Sequence, residues 1–128
     1  VAGVVDTAAI RHYLCPDASG ALASATNGEF RVLLQHRPYI DYAGIYGKNY
    51  SYRCDLQLSG HTHGGAILGM DRLVAKANEN HVRGVYREHG LTLYVNSGTG
   101  QWAGFPTRLG IMPEISLLTL VTANRSAT

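Results

Sequence analysis

The chain has 128 residues, a formal net charge of +2 and an apolar fraction of 45%. A chain of this length can bury a sizeable core, and we predict that residues 1–128 form a single domain. Because the net charge is small and the arginines are scattered, the sequence has no cluster of basic residues that would indicate nucleic-acid binding. Two cysteines, Cys15 and Cys54, lack redox or zinc spacing and are predicted to be reduced thiols.

The first half of the chain alternates short apolar segments with helical patterns. We predict strands at residues 2–5 and 31–35 and helices at 7–14 and 38–46, with a further helical segment around 21–25. Strands that alternate with helices favour a sheet whose early strands are parallel.

The second half lacks that alternation. Residues 55–58 and 115–122 are predicted strands, and residues 81–86 and 91–95 are predicted to form a hairpin. Residues 67–77 are predicted to be a linker whose apolar side chains are buried anchors: Leu68, Met70, Leu73 and Val74. The fold class is therefore α/β, a mixed sheet with flanking helices.

The heptapeptide Ser59-Gly60-His61-Thr62-His63-Gly64-Gly65 follows the strand at 55–58. In an extended segment, residues i and i+2 point the same way, so both imidazoles are expected to converge on one region. A bare His-x-His arises often by chance or for structural reasons. The flanking glycines favour a site where a metal and its anion approach the backbone.

A third histidine also lies at a strand end. His36 follows the apolar run 31–35, and Pro38 cannot continue a central strand. Neighbouring parallel strands end at the same sheet edge, so we expect His36, His61 and His63 to cluster. We predict that His12 is solvated and that His81 and His89 are surface or structural residues, with His89 in the hairpin turn before Gly90.

These segments resemble the last two ligand motifs of the calcineurin-like metallophosphoesterases, above all their bacterial, membrane-associated branch. The matching stretches are 33–38 and 55–65, supported by 93–100 and 113–120. The resemblance implies half of a metallophosphoesterase α/β sandwich. It also implies hydrolysis of phosphoesters by two divalent ions that clamp the phosphoryl oxygens and activate water. His36 and His61 would bind one ion and His63 the other, with Mn, Fe, Zn or Ni as candidates.

The earlier family motifs, Asp-x-His, Gly-Asp and Gly-Asn-His or Gly-Asn-Asp, are absent from this sequence, which begins at Val1. We therefore interpret the chain as the C-terminal half of a longer protein, whose N-terminal half would supply the carboxylates. The chain alone is expected to be inactive. The parent protein could be membrane-associated or cytoplasmic.

Three points stay open at this stage. Arg108, near the expected site, is a weak candidate for binding a phosphoryl oxygen, and a surface role is as good an interpretation. The chain could also be a non-catalytic domain that keeps the fold and binds a partner. An amidohydrolase, which also has His-x-His after a strand, is disfavoured because too few residues follow His63.

Overall fold

The computed structural model describes residues 1–6, 17–23, 29–42, 53–101 and 107–122. In chain order its elements are β1 (Ala2–Gly3), α1 (Ala18–Ala23), β2 (Val32–Leu34), β3 (Leu56–Ser59), a 3₁₀ turn (His63–Gly65), α2 (Asp71–Ala77), β4 (Gly84–Glu88) and β5 (Leu91–Val95). The predicted helix 7–14 with His12, the following Cys15, and residues 43–46 of the predicted helix 38–46 lie outside these residues. The start of the helix predicted at 38–46 is wrong, because residues 38–41 are not helical. Within the described ranges, no helix has the length and apolarity to cross a membrane.

The strands form one mixed sheet in the order β1-β2-β3-β5-β4. β1, β2, β3 and β5 run parallel to their neighbours, and only the β4–β5 pair is antiparallel. Parallel early strands and a late hairpin were both predicted, and both are confirmed. Because β2, β3 and β5 are parallel neighbours, their carboxyl ends lie at one edge of the sheet, where the histidines follow.

One face of the sheet carries the core. Leu33, Gln57 and Leu93 lie in register across β2, β3 and β5, and all three are buried. The buried cluster also includes Ala18 and Leu22 of α1, Ile40, Cys54, Leu91 and Val95. Each large aliphatic side chain buried here contributes about 1.5–3 kcal/mol. Cys54 is a free thiol, as predicted, and its burial raises its pKa to about 11.

The opposite face of the sheet is open. Leu34 on β2 is 45% exposed and Val85 on β4 is 55% exposed. Leu58 and Tyr94 lie between them on the same face and line a recess of about 460 Å³. We call this surface the open sheet face.

The prediction of a strand at 115–122 is wrong. These residues pair with no strand in the described part of the chain, and Ile115 and Leu117 are 90% and 94% exposed. The segment is attached at its start, where the Ser97 amide donates to Glu114 Oε2 at 2.9 Å. Alternation of apolar and polar residues predicts a strand, but a strand also needs a neighbour to accept its hydrogen bonds.

The prediction that the apolar side chains of the linker are buried is also wrong. Residues 71–77 form helix α2, which has no buried residue. Leu68, Met70 and Leu73 are exposed, and Val74 is only half-buried. None of the described elements buries the apolar stripe of α2, so its helical periodicity did not bring burial.

Candidate metal centre

The loop after β3 turns sharply at its histidines. His61 has φ 69° and His63 has φ 50°, so the segment is not extended. The expectation that both rings point the same way by strand alternation is therefore wrong. Gly64, at φ 64°, lies so close to its neighbours that an added Cβ would stand 2.8 Å from Ser97 Oγ. Only glycine satisfies both the conformation and the space at this position.

Two hydrogen bonds hold this loop against the residues before β4, and a third lies within the loop. Thr62 Oγ1 donates to the Val82 carbonyl at 2.5 Å and accepts from the Gly64 amide at 3.4 Å. Arg83 Nη1 donates to the Gly64 carbonyl at 2.7 Å. Left-handed backbone at two non-glycine residues costs free energy, and these contacts help to offset it. Such backbone conformations concentrate at functional sites.

His36 and His61 are brought together by the ladder between β2 and β3. The Gln35 amide donates to the Leu58 carbonyl at 3.1 Å, and the Gly60 amide donates to the His36 carbonyl at 2.9 Å. These bonds continue the parallel register past the strand ends. His61 Nδ1 consequently lies 3.3 Å from His36 Nε2, with the ring planes at 78°. We call these two residues the open histidine pair.

The separation of these two nitrogens fits a shared metal ion. Two imidazole ligands at about 2.1 Å from one ion lie roughly 3.0–3.4 Å apart for octahedral to tetrahedral angles. A hydrogen bond between two neutral rings would also give the 3.3 Å spacing. In either arrangement at least one ring presents a lone pair towards the other, which is the ligand form of histidine.

The surroundings of His61 favour its neutral form. Burial lowers its pKa most, and the positive charge of Arg37 lowers it further. Asp6 acts in the opposite direction, and its Oδ2 lies 3.8 Å from His36 Nε2. A lowered pKa keeps the imidazole available as a ligand over more of the neutral range.

His63 does not join the open histidine pair. Its Nδ1 lies 3.3 Å from the Gly100 carbonyl. Its positive form nevertheless contributes to lowering the pKa of His61, so the two rings influence one another. Among residues 1–6, 17–23, 29–42, 53–101 and 107–122, no three His, Cys, Asp or Glu side chains form a group that could hold a metal. The structure thus gives a pair and a separate single ring.

The guanidinium of Arg108 donates hydrogen bonds to three backbone carbonyls. Its Nη2 donates to the carbonyls of Ser97 and Gly100 at 2.9 and 2.8 Å, and its Nη1 donates to that of Met112 at 3.0 Å. These contacts give Arg108 a structural role beside His63. Binding of a phosphoryl oxygen by Arg108 stays a prediction.

Sequence reasoning missed two charged residues near the pair, Asp6 and Arg37. Asp6 follows β1, which pairs with β2 through the bond from the Val4 amide to the Leu34 carbonyl at 3.1 Å. Arg37 directly follows His36. Their positions after neighbouring parallel strands are the signal that could have placed them at this edge.

His81 has a structural role, which confirms that part of its prediction. The ring is 2% exposed, and its nitrogens lie 3.0 Å from the Pro38 carbonyl and 2.9 Å from Glu88 Oε1. His89 has φ 49° in the turn between β4 and β5, where a turn residue was predicted. Neither residue lies with the open histidine pair.

Three bacterial proteins, each named an uncharacterized metallophosphoesterase, are similar to most of this chain. One from Helicobacter pylori (strain J99) is 36% identical over 117 residues, which are 91% of the chain and 30% of that protein. YkuE of Bacillus subtilis is 35% identical over 85% of the chain and 37% of its own length. A Campylobacter jejuni protein is 36% identical over 94% of the chain and 31% of its own length. No protein-family model and no solved structure matches the chain.

The chain belongs to the metallophosphoesterases, as the resemblance of its histidine motifs indicated. The name of that family denotes metal-dependent hydrolysis of phosphoesters. The chain spans about a third of the length of these relatives, between 30% and 37%.

Proposed function

We propose that this protein contributes histidine ligands to a two-metal phosphoesterase centre. His36 and His61 would bind one divalent ion, through Nε2 and Nδ1, and His63 would bind a second. The 3.3 Å separation between the nitrogens of the open histidine pair is the observation that carries this proposal. A pair plus a separate single ring is also the division that the family resemblance implies. The donors suit Mn, Fe, Zn or Ni.

The residues of this chain would hold and orient the centre. When bound, the ions would supply charge to stabilise the phosphoryl oxygens and would activate a water molecule near neutral pH. Gly60 has open surroundings, since an added Cβ would meet only the Asn96 carbonyl at 3.9 Å, and a phosphoryl group would approach the backbone there. Burial of His61, which lowers its pKa, keeps the ring neutral for ligation.

The remaining ligands would come from another region of a longer protein. Two bridged divalent ions need carboxylates, and the family's aspartate motifs are absent from this sequence. The relatives are about three times as long as the matched segment, which supports such a region. The open sheet face and the exposed residues 115–122 offer apolar surface for it to pack against. The substrate is proposed only as a phosphoester.

A second candidate is a binding domain that keeps the fold without catalysis. In its favour, the described part of the chain holds no group of three possible metal ligands. Metal binding separates the two candidates, because a pure binding domain has no need of the open histidine pair as a ligand.

Cobalt(II) titration of the 128-residue chain, followed by its visible absorption, tests the pair directly. We expect one weak site whose affinity falls at least 10-fold in His61→Ala, since removing one of two imidazoles removes half of the protein donors. His89→Ala is the matched control, because His89 lies in the β4–β5 turn, and it should bind like the wild type. Equal affinity in all three proteins would show that the pair is no ligand.

Activity is tested in a longer protein that joins this chain to the region carrying the aspartate motifs. With manganese and bis-p-nitrophenyl phosphate, His61→Ala and His63→Ala should each lower the rate by more than about 100-fold. Circular dichroism should show unchanged folding, because both residues lie in a loop. A chelator should abolish the activity. Full activity in either variant, or in the presence of chelator, would contradict the proposal, as would robust turnover by the 128-residue chain alone.

A further inference from the structure

We infer that Arg108 is a positioning residue for His63: it fixes the Gly100 carbonyl, which holds the His63 ring with Nδ1 protonated and Nε2 bare. Metal binding by that bare nitrogen rests on the proposed function. The state of the ring itself rests on the contacts of this chain alone.

The Gly100 carbonyl accepts from two side chains. Arg108 Nη2 donates to it at 2.8 Å, and His63 Nδ1 lies 3.3 Å from it. The same guanidinium donates to the carbonyls of Ser97 and Met112 at 2.9 and 3.0 Å. Arg108 therefore ties two carbonyls of the loop after β5 to the carbonyl of Met112. Its planar fork suits such a task, because several N–H groups point in fixed directions.

The chemistry of the contact selects one tautomer. A carbonyl oxygen can only accept, so a hydrogen bond with His63 requires the proton on Nδ1. Neutral imidazole carries a single N–H, and its lone pair must then lie on Nε2. Metal-binding histidines commonly donate their other ring N–H to a carbonyl or carboxylate in this way. The arrangement at His63 is thus that of a ligand already oriented before the metal arrives.

The rest of the loop shows why an arginine is needed here. Residues 96–100 follow β5, where the Gly98 amide donates to Asn96 Oδ1 at 2.7 Å and the Gly98 carbonyl accepts from the Glu114 amide at 2.9 Å. Those bonds hold the start of the loop at Gly98. Of the described contacts, only those from His63 and Arg108 reach the Gly100 carbonyl. Without Arg108, that carbonyl would keep no anchor except the ring that it is to orient.

The test is the tautomer of His63, read from two-bond ¹H–¹⁵N correlations of the labelled, metal-free chain above pH 7.5. We expect the wild type to be predominantly Nδ1–H and Arg108→Ala to shift mainly to Nε2–H. Arg108→Lys should be intermediate, since an ammonium can reach one or two of the three carbonyls. Arg87→Ala, which removes an exposed arginine from β4, should match the wild type.

Three results would overturn the inference. The first is a wild-type ring with Nε2–H, a measurement that needs no variant to fold. The second is an Arg108→Ala chain that keeps Nδ1–H while its amide spectrum shows a folded protein. The third is an equal shift in Arg87→Ala. If Arg108→Ala fails to fold, Arg108→Lys and the wild-type tautomer decide.

Cobalt titration separates this inference from the proposed function. Binding by the open histidine pair should change less than twofold in folded Arg108→Ala, because Arg108 contacts neither ring of the pair. If the wild-type chain did not bind cobalt at the open histidine pair, the proposed function would be contradicted, while the tautomer result would stand. An Nε2–H wild-type ring together with normal cobalt binding would overturn the inference alone.

Discussion

Two histidine sites in this protein differ in what surrounds the ring nitrogens. At His81, which with Pro38 and Glu88 we call the closed histidine site, both nitrogens meet protein acceptors at 3.0 and 2.9 Å. At the open histidine pair, two ring nitrogens from different strands face one another at 3.3 Å. The side chain of His81 is 3% exposed, whereas that of His36 is 55% exposed.

The difference separates a ring that supports the fold from rings that can take a ligand. His81 joins the Pro38 segment to the β4–β5 hairpin through the Glu88 carboxylate, whose pKa is lowered by hydrogen bonds from Tyr42 and His81. All of its polar capacity is used inside the protein. In the open pair the two ring nitrogens lie 3.3 Å apart, a separation that fits two ligands of one ion. Residue type alone does not distinguish the two; the number of acceptors already in place does.

The largest expected effect comes from emptying the closed site. His81→Ala should lower the free energy of unfolding by about 3 kcal/mol, because it leaves a cavity and a buried Pro38 carbonyl without its partner. His61→Ala should cost less than about 0.5 kcal/mol, since no core packing is lost. Urea denaturation at pH 7 measures both, with His89→Ala as a third, exposed comparison. Equal losses for His81 and His61 would erase the contrast between the two sites.

Alanine substitutions at Gly64 and Gly90 test how far close packing supports the loop that carries His61. Gly64→Ala should cost about 2–3 kcal/mol, because the new methyl group would meet Ser97 Oγ and Ile111 Cγ2 at a φ that alanine disfavours. Gly90→Ala, at φ 87° with nothing within 4 Å, should cost only about 1 kcal/mol.

Thermal unfolding of the two glycine variants measures this difference. Gly64→Ala should also weaken cobalt binding to the pair, and Gly90→Ala should not. If the two variants lost the same stability, backbone conformation alone would account for the cost, and the close packing under the loop would contribute nothing.

The fold could be predicted from the sequence where a pattern reports a local cause. Leu33 and Leu93 lie in short apolar runs, and the two strands that contain them, β2 and β5, were placed correctly. His36 and His61 lie close together because β2 and β3 are parallel neighbours whose carboxyl ends share one edge of the sheet. The family resemblance then supplied the metal role, which spacing alone does not give.

Two of the failures share one physical origin, because no described element covers the apolar side chains of these segments. Residues 115–122 and the stripe on α2 have the periodicity of buried elements, yet Leu117 and Leu73 are exposed. Periodicity predicts that an element has an apolar face, but it does not predict which element will cover that face. The loop geometry of His61 and His63 failed for another reason, because φ at a non-glycine residue depends on contacts made far along the chain.

Thr62 connects the two histidine regions, since it lies between His61 and His63 and donates to the Val82 carbonyl next to His81. Thr62→Val keeps the shape but removes the donor, and should cost about 1–2 kcal/mol because the buried carbonyl loses its hydrogen bond. Thr92→Val, the same exchange on β5, should change stability by less than about 0.5 kcal/mol. Urea denaturation measures the stability of both variants. If they lost the same amount, the hydrogen bond of Thr62 would not support the open histidine pair.

The smallest effect is a pH dependence at Glu114, the carboxylate that attaches the exposed C-terminal segment beside the open pair. Burial alone would raise its pKa, but hydrogen bonds from Tyr94, Ser97 and Ser116 outweigh burial and lower it to about 2. A folded pKa below the unfolded value of 4.5 stabilises the protein above about pH 5. That contribution is lost as the pH falls towards about 2. Because the carboxylate is largely solvated, we expect about 1 kcal/mol rather than the full value of the shift.

Glu114→Gln cannot ionise, so its deficit in unfolding free energy against the wild type should be largest at pH 6 and shrink steadily towards pH 3. Glu79→Gln removes the same charge from the exposed turn after α2 and controls for the change in net charge. Urea denaturation at several pH values gives both curves. A deficit that stayed constant with pH, or that Glu79→Gln reproduced, would show that the Ser97–Glu114 attachment does not depend on the ionised carboxylate.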